Sequence, residues 1–199
     1  MKCEVAVENA GNLAVAVHRN VDGAIGRLVM LYQDALFSYA LRLLRDRFDA
    51  QEVAQDALLR AIRALTSRYD EERCEDLDLR PWLFRITRNL AYNWRRARRY
   101  SAEVPLSETK DGPGQSFQSQ AVAERTLDDL EQQVSMQMAL DRLSPGARDL
   151  ILLRFMEEMS YAEIAAVVNS SENSVRGKVF RALRKLRKTL EKMGGRNAM

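Results

Sequence analysis

The segment RPWLFRITRNLAYNWRRARRY, residues 80–100, constrains the fold of this chain more than any other. At about 100° per residue, its apolar and its basic side chains separate onto opposite sides of a helix. The apolar side carries Leu83, Ile86, Leu90, Trp94 and Ala97. The other side carries Arg85, Arg88, Tyr92, Arg95, Arg96 and Arg99. Pro81 suits a first helical turn, and Ser, Pro and Gly follow after Tyr100. The segment therefore predicts a helix with one core face and one cationic face.

The cationic face of this predicted helix requires an anionic partner or solvent. No Asp or Glu lies between Phe84 and Tyr100, and arginines crowded in this way repel one another unless a polyanion neutralises them. Tyr92 lies among them and offers a ring on which an unstacked base can stack. The pattern favours binding of single-stranded or melted nucleic acid. A solvated basic face on a structural helix is the alternative that this segment alone leaves open.

The composition predicts an all-α fold without a cofactor. Charged residues make up 30% of the 199 residues, glycine and proline are scarce, and β-branched runs are few. The formal net charge is only +3, so the basic character is local. Cys3 and Cys74 form no CxxC pair and His18 is the single histidine, so neither a disulfide framework nor a zinc site is expected. The apolar run at 13–17 is too short to span a membrane, and the expected location is the cytoplasm.

Two further helices are predicted ahead of the basic helix. Residues 1–23 show no sustained period and are interpreted as an N-terminal extension, whereas residues 24–47 are apolar at helical spacing. Asp49, with Glu52 three residues later, predicts the capped start of the next helix. One side of that helix is a stripe of small apolar residues that permits close packing, namely Ala50, Val53, Ala54, Ala57, Ala61 and Leu65. Its other side is either solvated or a docking face, and carries Glu52, Gln55, Asp56, Leu59 and Arg60.

Two segments without helical periodicity frame the basic helix. Residues 66–79 gather six acids and few apolar side chains, which predicts a surface loop directly before the helix. Residues 101–123 are rich in Ser, Gln, Pro and Gly, which predicts a flexible linker between two domains. The predicted architecture is thus two small helical domains joined by a linker.

The second domain, residues 124–193, has the pattern of a helix-turn-helix, and residues 194–199 form a tail. Ser144 followed by Pro145 predicts one helix start, and Ser160 with Glu163 predicts a capping box for a short helix. After a break at 169–171, a long helix begins at Glu172 and is strongly basic. Its predicted inner face carries Val175, Val179, Ala182, Leu183, Leu186 and Leu190. Its predicted outer face carries Arg176, Gly177, Phe180, Arg181, Arg184 and Lys188. Such a helix suits the major groove of duplex DNA, although a solvated basic helix or coiled coil gives the same pattern.

Together these motifs resemble the two conserved regions of the extracytoplasmic-function sigma factors of bacterial RNA polymerase. AQEVAQDALLRA at 50–61 and PWLFRITRNLAYNWRRARR at 81–99 resemble the docking and promoter-melting parts of the family's region 2. LSPGARDLILLRFMEEMSYAEIAAVVNSSENSVRGKVFRALRKLRK resembles its region 4. Asn169 stands where the family usually has glycine, which is tolerable because Asn accepts a left-handed conformation. Gly177 replaces a small polar residue and cannot donate a side-chain hydrogen bond.

The resemblance implies roles for named residues. Core RNA polymerase, through the clamp helices of its beta-prime subunit, is expected to contact Glu52, Gln55, Asp56, Leu59 and Arg60. The opened minus-ten strand is expected to contact Arg85, Arg88, Asn89, Tyr92, Arg95 and Arg96, and the loop 66–79 is expected to receive a flipped base. The minus-thirty-five element and its phosphates are expected to contact Ser174, Arg176, Gly177, Lys178, Phe180 and Arg181. Other implied partners are the polymerase beta flap, promoter DNA and an anti-sigma factor.

Two other classes of function compete with this interpretation. A conventional transcription regulator with a C-terminal helix-turn-helix explains the last module equally well, but it does not explain the arginine and aromatic helix or the long linker. An enzyme is not expected, because the sequence lacks GxSxG, HExxH and phosphate-loop motifs and its one histidine lies outside both modules.

Overall fold

The computed structural model describes residues 13–103 and 127–194, and the regular secondary structure within these ranges is entirely helical. This confirms the all-α prediction. The chain divides into two compact units, Met1–Gly114 and Gln115–Met199. Of the predicted linker, residues 101–103 belong to the last turn of a helix, and residues 104–123 lie outside the described ranges.

The first unit is built from α1 at residues 13–18, α2 at Ala24–Leu44, α3 at Arg47–Ser67, α4 at Glu71–Glu75 and α5 at Leu79–Glu103. Helix α3 packs against both α2 and α5, and α2 also packs against α5. The predicted small-residue stripe on α3 is buried from Ala50 to Leu65, which confirms that prediction. Because alanine side chains are short, the neighbouring helices approach closely and bury their larger side chains between them.

Helix α5 turns a different side to the core than its apolar pattern predicts. Leu83 is buried as expected, but Ile86, Leu90 and Trp94 are only half-buried and Ala97 is exposed. The core side is instead formed by Leu79, Leu83, Phe84, Thr87 and Ala91. Two contacts explain this rotation about the helix axis.

The first of these contacts is between two aromatic rings. The second is a hydrogen bond that satisfies the hydroxyl group of a buried threonine. The ring of Phe84 lies 5.2 Å from that of Tyr39 on α2, in a tilted arrangement that favours aromatic pairs. The Thr87 hydroxyl donates to the Leu83 carbonyl at 3.0 Å, so Thr87 is fully buried without an unsatisfied polar group. The sequence pattern treats Thr87 as polar and therefore misplaces the core face.

The start of α3 also differs from the prediction. The helix begins at Arg47, and its N-cap is Asp46, whose Oδ1 accepts from the Asp49 N–H at 2.9 Å. Arg45 ends α2 in the left-handed conformation, with φ 64°. The chain therefore reverses at Arg45 and leaves Asp46, not Asp49, in the extended conformation that an N-cap needs.

Residues 66–79 contain a short helix and one buried side chain. Asp70 caps α4 by accepting from the Arg73 N–H at 2.9 Å, and Cys74 is fully buried beneath it. Burial raises the pKa of the Cys74 thiol, so the unreactive protonated form dominates at neutral pH. The acids remain on the surface as predicted, with Glu71 half-buried and the other five exposed.

The second unit consists of α6 at Leu127–Asp141, α7 at Pro145–Ile151, a π-helical segment at Leu152–Met156, α8 at Tyr161–Val168 and α9 at Glu172–Gly194. Helix α9 packs against α6, α7 and α8. Val175, Val179, Ala182 and Leu186 face this core, as predicted, whereas Leu183 is 36% exposed.

Helix α1 lies in the segment whose sequence shows no sustained period. Its Leu13, Ala14, Val15 and Val17 are buried. His18 Nδ1 lies 2.8 Å from the Leu65 carbonyl, and Arg19 pairs with Glu71. The six helical residues are too few to produce a recognisable 3.6-residue period, which is why the pattern missed them.

We predict that Val17 stabilises the first unit. Val17 is fully buried, so Val17→Ala should lower the free energy of unfolding by about 1 to 3 kcal/mol through lost burial and a residual cavity. Val21→Ala is the matched control, because Val21 is 47% exposed and its truncation should change stability by less than about 0.5 kcal/mol. Urea denaturation followed by circular dichroism measures both. Equal stabilities for the two variants would contradict packing of α1 in the core.

Candidate nucleic-acid interface and docking surface

One side of α5 brings together all six residues predicted to contact melted DNA. This α5 cationic face consists of Arg85, Arg88, Asn89, Tyr92, Arg95 and Arg96. Arg85, Asn89 and Arg96 are exposed, and the other three are half-buried. The spacing of three and four residues places them along about three turns of one helix face, opposite the core side.

Tyr92 and Arg88 form the centre of this face. The Arg88 guanidinium carbon lies 4.6 Å from the centroid of the Tyr92 ring, within the range of a cation–π contact. The ring and the positive charge are therefore presented together. A nucleobase stacks on flat cationic and aromatic groups, while phosphates are drawn to the guanidinium groups. This combination suits an unstacked strand better than it suits a neutral protein partner.

Arg98 does not belong to the α5 cationic face. Its Nη1 lies 2.5 Å from Asp49 Oδ2 and 4.0 Å from Asp46 Oδ2, at the start of α3. Two carboxylates thus neutralise the guanidinium locally. The arginines of the helix therefore divide into a group on the open face and at least one that ties α5 to α3.

Residues 66–79 pack against the beginning of α5. The Tyr69 ring lies 5.6 Å from that of Trp82 in the first turn of α5, and the Arg73 guanidinium covers Tyr69 at 4.0 Å. Trp82 is buried, so its ring fixes the position of the segment. A second aromatic and cationic cluster is thereby held at the N-terminal end of α5.

The predicted docking residues also lie on one open surface, along α3. Glu52, Gln55, Leu59 and Arg60 are exposed, and Asp56 is half-buried. Asp56 and Arg60 form an ion pair, with 3.0 Å between Arg60 Nη2 and Asp56 Oδ2. Leu59 is 52% exposed in the middle of these polar groups.

Together with Phe48, the predicted docking residues form a surface that we call the α3 docking stripe, namely Glu52, Gln55, Asp56, Leu59 and Arg60. The sequence interpretation missed Phe48, which extends the stripe by one turn. Phe48 is 82% exposed, and its spacing to Glu52, Gln55 and Leu59 places it on the same line along the helix. An exposed phenylalanine beside polar groups is characteristic of protein interfaces. A search for aromatic residues on the polar side of the helix would have found it.

In the second unit, α8 and α9 form the predicted helix-turn-helix. Ser160 and Glu163 make the reciprocal capping box, with distances of 3.1 and 2.7 Å. Asn169 ends α8 in the left-handed conformation, with φ 51°, as its sequence position predicted. Asn169 thus lets the chain turn between α8 and α9, and the side chains of Arg176, Phe180 and Arg181 on α9 are exposed.

The predicted duplex-reading residues lie on this outer face of α9. Phe180 is 66% exposed, and the exposed or half-buried positions beside it are Ser174, Arg176, Gly177, Lys178 and Arg181. A Cβ at Gly177 would lie 3.6 Å from Arg181 Nη1, an ordinary contact distance. Packing within the chain therefore does not demand glycine at this position.

Within the described ranges, no three or more His, Cys, Asp or Glu side chains are grouped in a way that would hold a metal ion. No described helix is long and apolar enough to cross a membrane.

Comparison with known proteins gives the same family for both units. Residues 28–100 match the family model for sigma-70 region 2, and residues 133–186 match that for sigma-70, region 4. The chain is 33% identical to the ECF RNA polymerase sigma factor SigL of Mycobacterium tuberculosis, over 80% of this chain and 84% of that protein.

A second relative is longer than this chain, and a solved structure shares its fold. The "Probable RNA polymerase sigma factor RfaY" of Xanthomonas campestris pv. campestris is 28% identical over 84% of this chain, which spans only 40% of that protein. The structure of CnrH in complex with the cytosolic domain of CnrY is similar with a TM-score of 0.64 at 27% identity, over 92% of this chain and 97% of that one.

The division of arginines on α5 yields a prediction for single-stranded DNA binding. Arg96→Ala should weaken binding of a single-stranded oligonucleotide and lower the slope of log affinity against log salt by up to about one. Arg98→Ala should change both quantities less, because two carboxylates already offset the charge of Arg98. Fluorescence anisotropy over a salt series measures the slopes. If both variants lose affinity equally, the distinction between Arg96 on the α5 cationic face and Arg98 outside it is wrong.

Proposed function

The chain belongs to the extracytoplasmic-function sigma factors of bacterial RNA polymerase, and from this premise we propose how it binds the core enzyme, recognises promoters and opens them. Sigma factors control where transcription starts and leave catalysis to the polymerase. Accordingly, this chain contributes no catalytic residue, requires no cofactor and acts in the cytoplasm with the polymerase.

The single observation that carries the proposal is the α5 cationic face, with the Arg88 guanidinium over the Tyr92 ring at its centre. Duplex opening costs a few kcal/mol for each nucleotide that leaves the stack. Stacking on protein side chains offsets this cost by about 1 to 3 kcal/mol per base. The α5 cationic face therefore captures the separated minus-ten strand. The aromatic cluster at residues 66–79 receives a flipped base beside it.

The helix-turn-helix of the second unit anchors the complex on duplex DNA upstream. Arg176 and Phe180 read the base pairs of the minus-thirty-five element, while Ser174, Lys178 and Arg181 contact its phosphates. Gly177 offers only its backbone, so Arg176 and Phe180 carry more of the specificity. Arginine that donates two hydrogen bonds to guanine is the commonest of such readouts.

The two DNA contacts act together through the segment that joins them. Residues 24–100 form the polymerase-docking and melting domain, residues 101–123 the linker, and residues 124–193 the upstream-anchoring domain. Once one domain is bound, the linker raises the effective concentration of the other at its own site. Neither domain suffices alone for initiation.

The α3 docking stripe provides the contact with core polymerase. Its polar residues face the clamp helices of the beta-prime subunit, and Phe48 and Leu59 supply the buried apolar centre that interfaces require. The second unit contacts the beta flap. CnrH, whose fold this chain shares, is held in its solved structure by the cytosolic domain of CnrY, so we extend the proposal to an anti-sigma partner for this chain.

If the chain were a conventional helix-turn-helix regulator, the isolated protein would behave differently. Such a regulator binds duplex DNA tightly as a symmetric dimer on a palindromic site. Sedimentation of the chain with such a duplex, in the absence of polymerase, distinguishes the two. A monomer that binds promoters specifically only with core polymerase supports the sigma-factor mechanism.

We predict that the α3 docking stripe determines affinity for core polymerase. Phe48→Ala should weaken binding by about 1 to 3 kcal/mol, and Asp56→Arg should weaken it through lost charge complementarity, with helix content unchanged in both. Met30→Ala on α2 is the matched control, because Met30 is exposed to a similar extent, 78% against 82% for Phe48. Biolayer interferometry with immobilised core enzyme gives the dissociation constants. Wild-type affinity of both stripe variants would refute this docking surface.

We predict that the α5 cationic face acts in strand opening. The double change Arg88→Ala and Tyr92→Ala should leave closed-complex formation largely intact, since α9 still anchors upstream. It should slow strand opening by roughly tenfold or more, because stacking no longer offsets the cost of opening. A premelted bubble template should restore transcription, since it removes that cost. Permanganate footprinting of exposed thymines reports opening directly.

Arg98→Ala is the control for this experiment, because Arg98 lies on the same helix but is paired with Asp49. It should open duplex promoters at nearly the wild-type rate. Should the double variant open duplex as fast as the wild type, or fail equally on duplex and bubble, the face would be a structural or phosphate-binding surface only.

A further inference from the structure

The side chain of Tyr161 lies between two arginines of the second unit. Tyr161 is the first residue of α8, and its ring is half-buried. The guanidinium carbon of Arg154 lies 5.1 Å from the ring centroid, and that of Arg176 lies 5.3 Å from it. Both distances fall within the range of cation–π contacts. The ring thus links the π-helical segment to the first turns of α9.

The Arg154 end of this cluster is fixed to the core. Arg154 Nη1 donates to the Met159 carbonyl at 2.8 Å, and the Met159 side chain is fully buried. Tyr161 itself follows Ser160, whose capping box sets the backbone at the start of α8. The ring therefore has a defined position before any DNA is present.

The Arg176 end is on the surface. The Arg176 side chain is 60% exposed, and Arg176 Nη2 lies 2.8 Å from Glu172 Oε1. An exposed arginine samples many rotamers, and a surface ion pair alone restrains it weakly. The Tyr161 ring adds a restraint from a different helix, which limits the directions in which the guanidinium group can point.

We propose that Tyr161 is a positioning residue for base readout: its ring holds the Arg176 guanidinium in the orientation that reads one base pair of the upstream element. The inference rests on the proposed role of Arg176 in that readout. Preorganisation of this kind lowers the ordering cost of a specific contact, but it leaves nonspecific attraction to phosphates unchanged. Loss of the ring should therefore reduce sequence discrimination without reducing the general affinity for duplex DNA.

The test uses reconstituted holoenzyme and a promoter library in which the upstream element is randomised. Arg176→Ala first identifies the base pair at which the preference falls, by about 5- to 150-fold. At that same base pair, Tyr161→Met should reduce the preference about twofold to fivefold, because methionine fills the space without an aromatic face. Tyr161→Phe keeps the face and should retain the wild-type preference. Binding to unrelated duplex and its salt dependence should be the same in all three Tyr161 forms.

A second measurement does not depend on DNA. In the free protein, the Arg176 Nε–Hε resonance should move in Tyr161→Met, because the ring current is lost, and should stay near its wild-type position in Tyr161→Phe. Thermal unfolding by circular dichroism establishes that each variant is folded.

The possible outcomes separate the two proposals. If Arg176→Ala lowers the base preference at no position, the proposed readout by Arg176 is wrong, and the role of Tyr161 is wrong with it. If Arg176→Ala lowers the base preference at one position but Tyr161→Met keeps the full preference there, only the positioning role is wrong. Equal losses in Tyr161→Met and Tyr161→Phe would assign the effect to the hydroxyl group, and equal losses on all sequences would indicate a phosphate contact; either result overturns the proposal.

Discussion

The packing of α5 against α2 and α3 is the interaction on which the rest of the first unit depends. Leu83, Phe84 and Thr87 are almost completely buried there, and the small residues of α3 let the helices approach closely. Each fully buried large apolar side chain contributes about 1.5 to 3 kcal/mol. This contribution holds in place a helix whose opposite face concentrates like charges and would otherwise be destabilised. A rigid core side is therefore the condition for presenting the α5 cationic face in one orientation.

Local ion pairs offset part of the positive charge of several arginines. Arg98 is tied to Asp49, Arg60 to Asp56 and Arg187 to Glu191. Exposed pairs of this kind contribute little to stability, about 0 to 1 kcal/mol each. Their larger effect is on surface potential, because each pair lowers the positive potential around its arginine. The net charge of +3 hides this local variation.

Much of the fold and most of the candidate site can be predicted from the sequence. Helical periodicity, the capping box at Ser160 and the left-handed Asn169 are local features, which depend on a few neighbouring residues. The cationic and docking residues could be grouped on helix faces for the same reason, since residues three or four apart on a helix are neighbours wherever the helix lies. The short helix α1, by contrast, was missed because six residues are too few to show a helical period, and His18 and Arg19 at its end contact Leu65 and Glu71, which are distant in sequence.

By itself, the sequence determined the long helices, the capping box of α8 and the segregation of charge, because these follow from side-chain spacing along one chain segment. Only the tertiary structure decided which side of α5 enters the core, since the pairing of Phe84 with Tyr39 and the internal hydrogen bond of Thr87 are contacts that no periodicity records. It likewise paired Arg98 of α5 with Asp49 of α3 and brought Tyr161 to Arg176. Each of these depends on how helices or turns distant in sequence meet in space, and therefore on packing rather than on pattern.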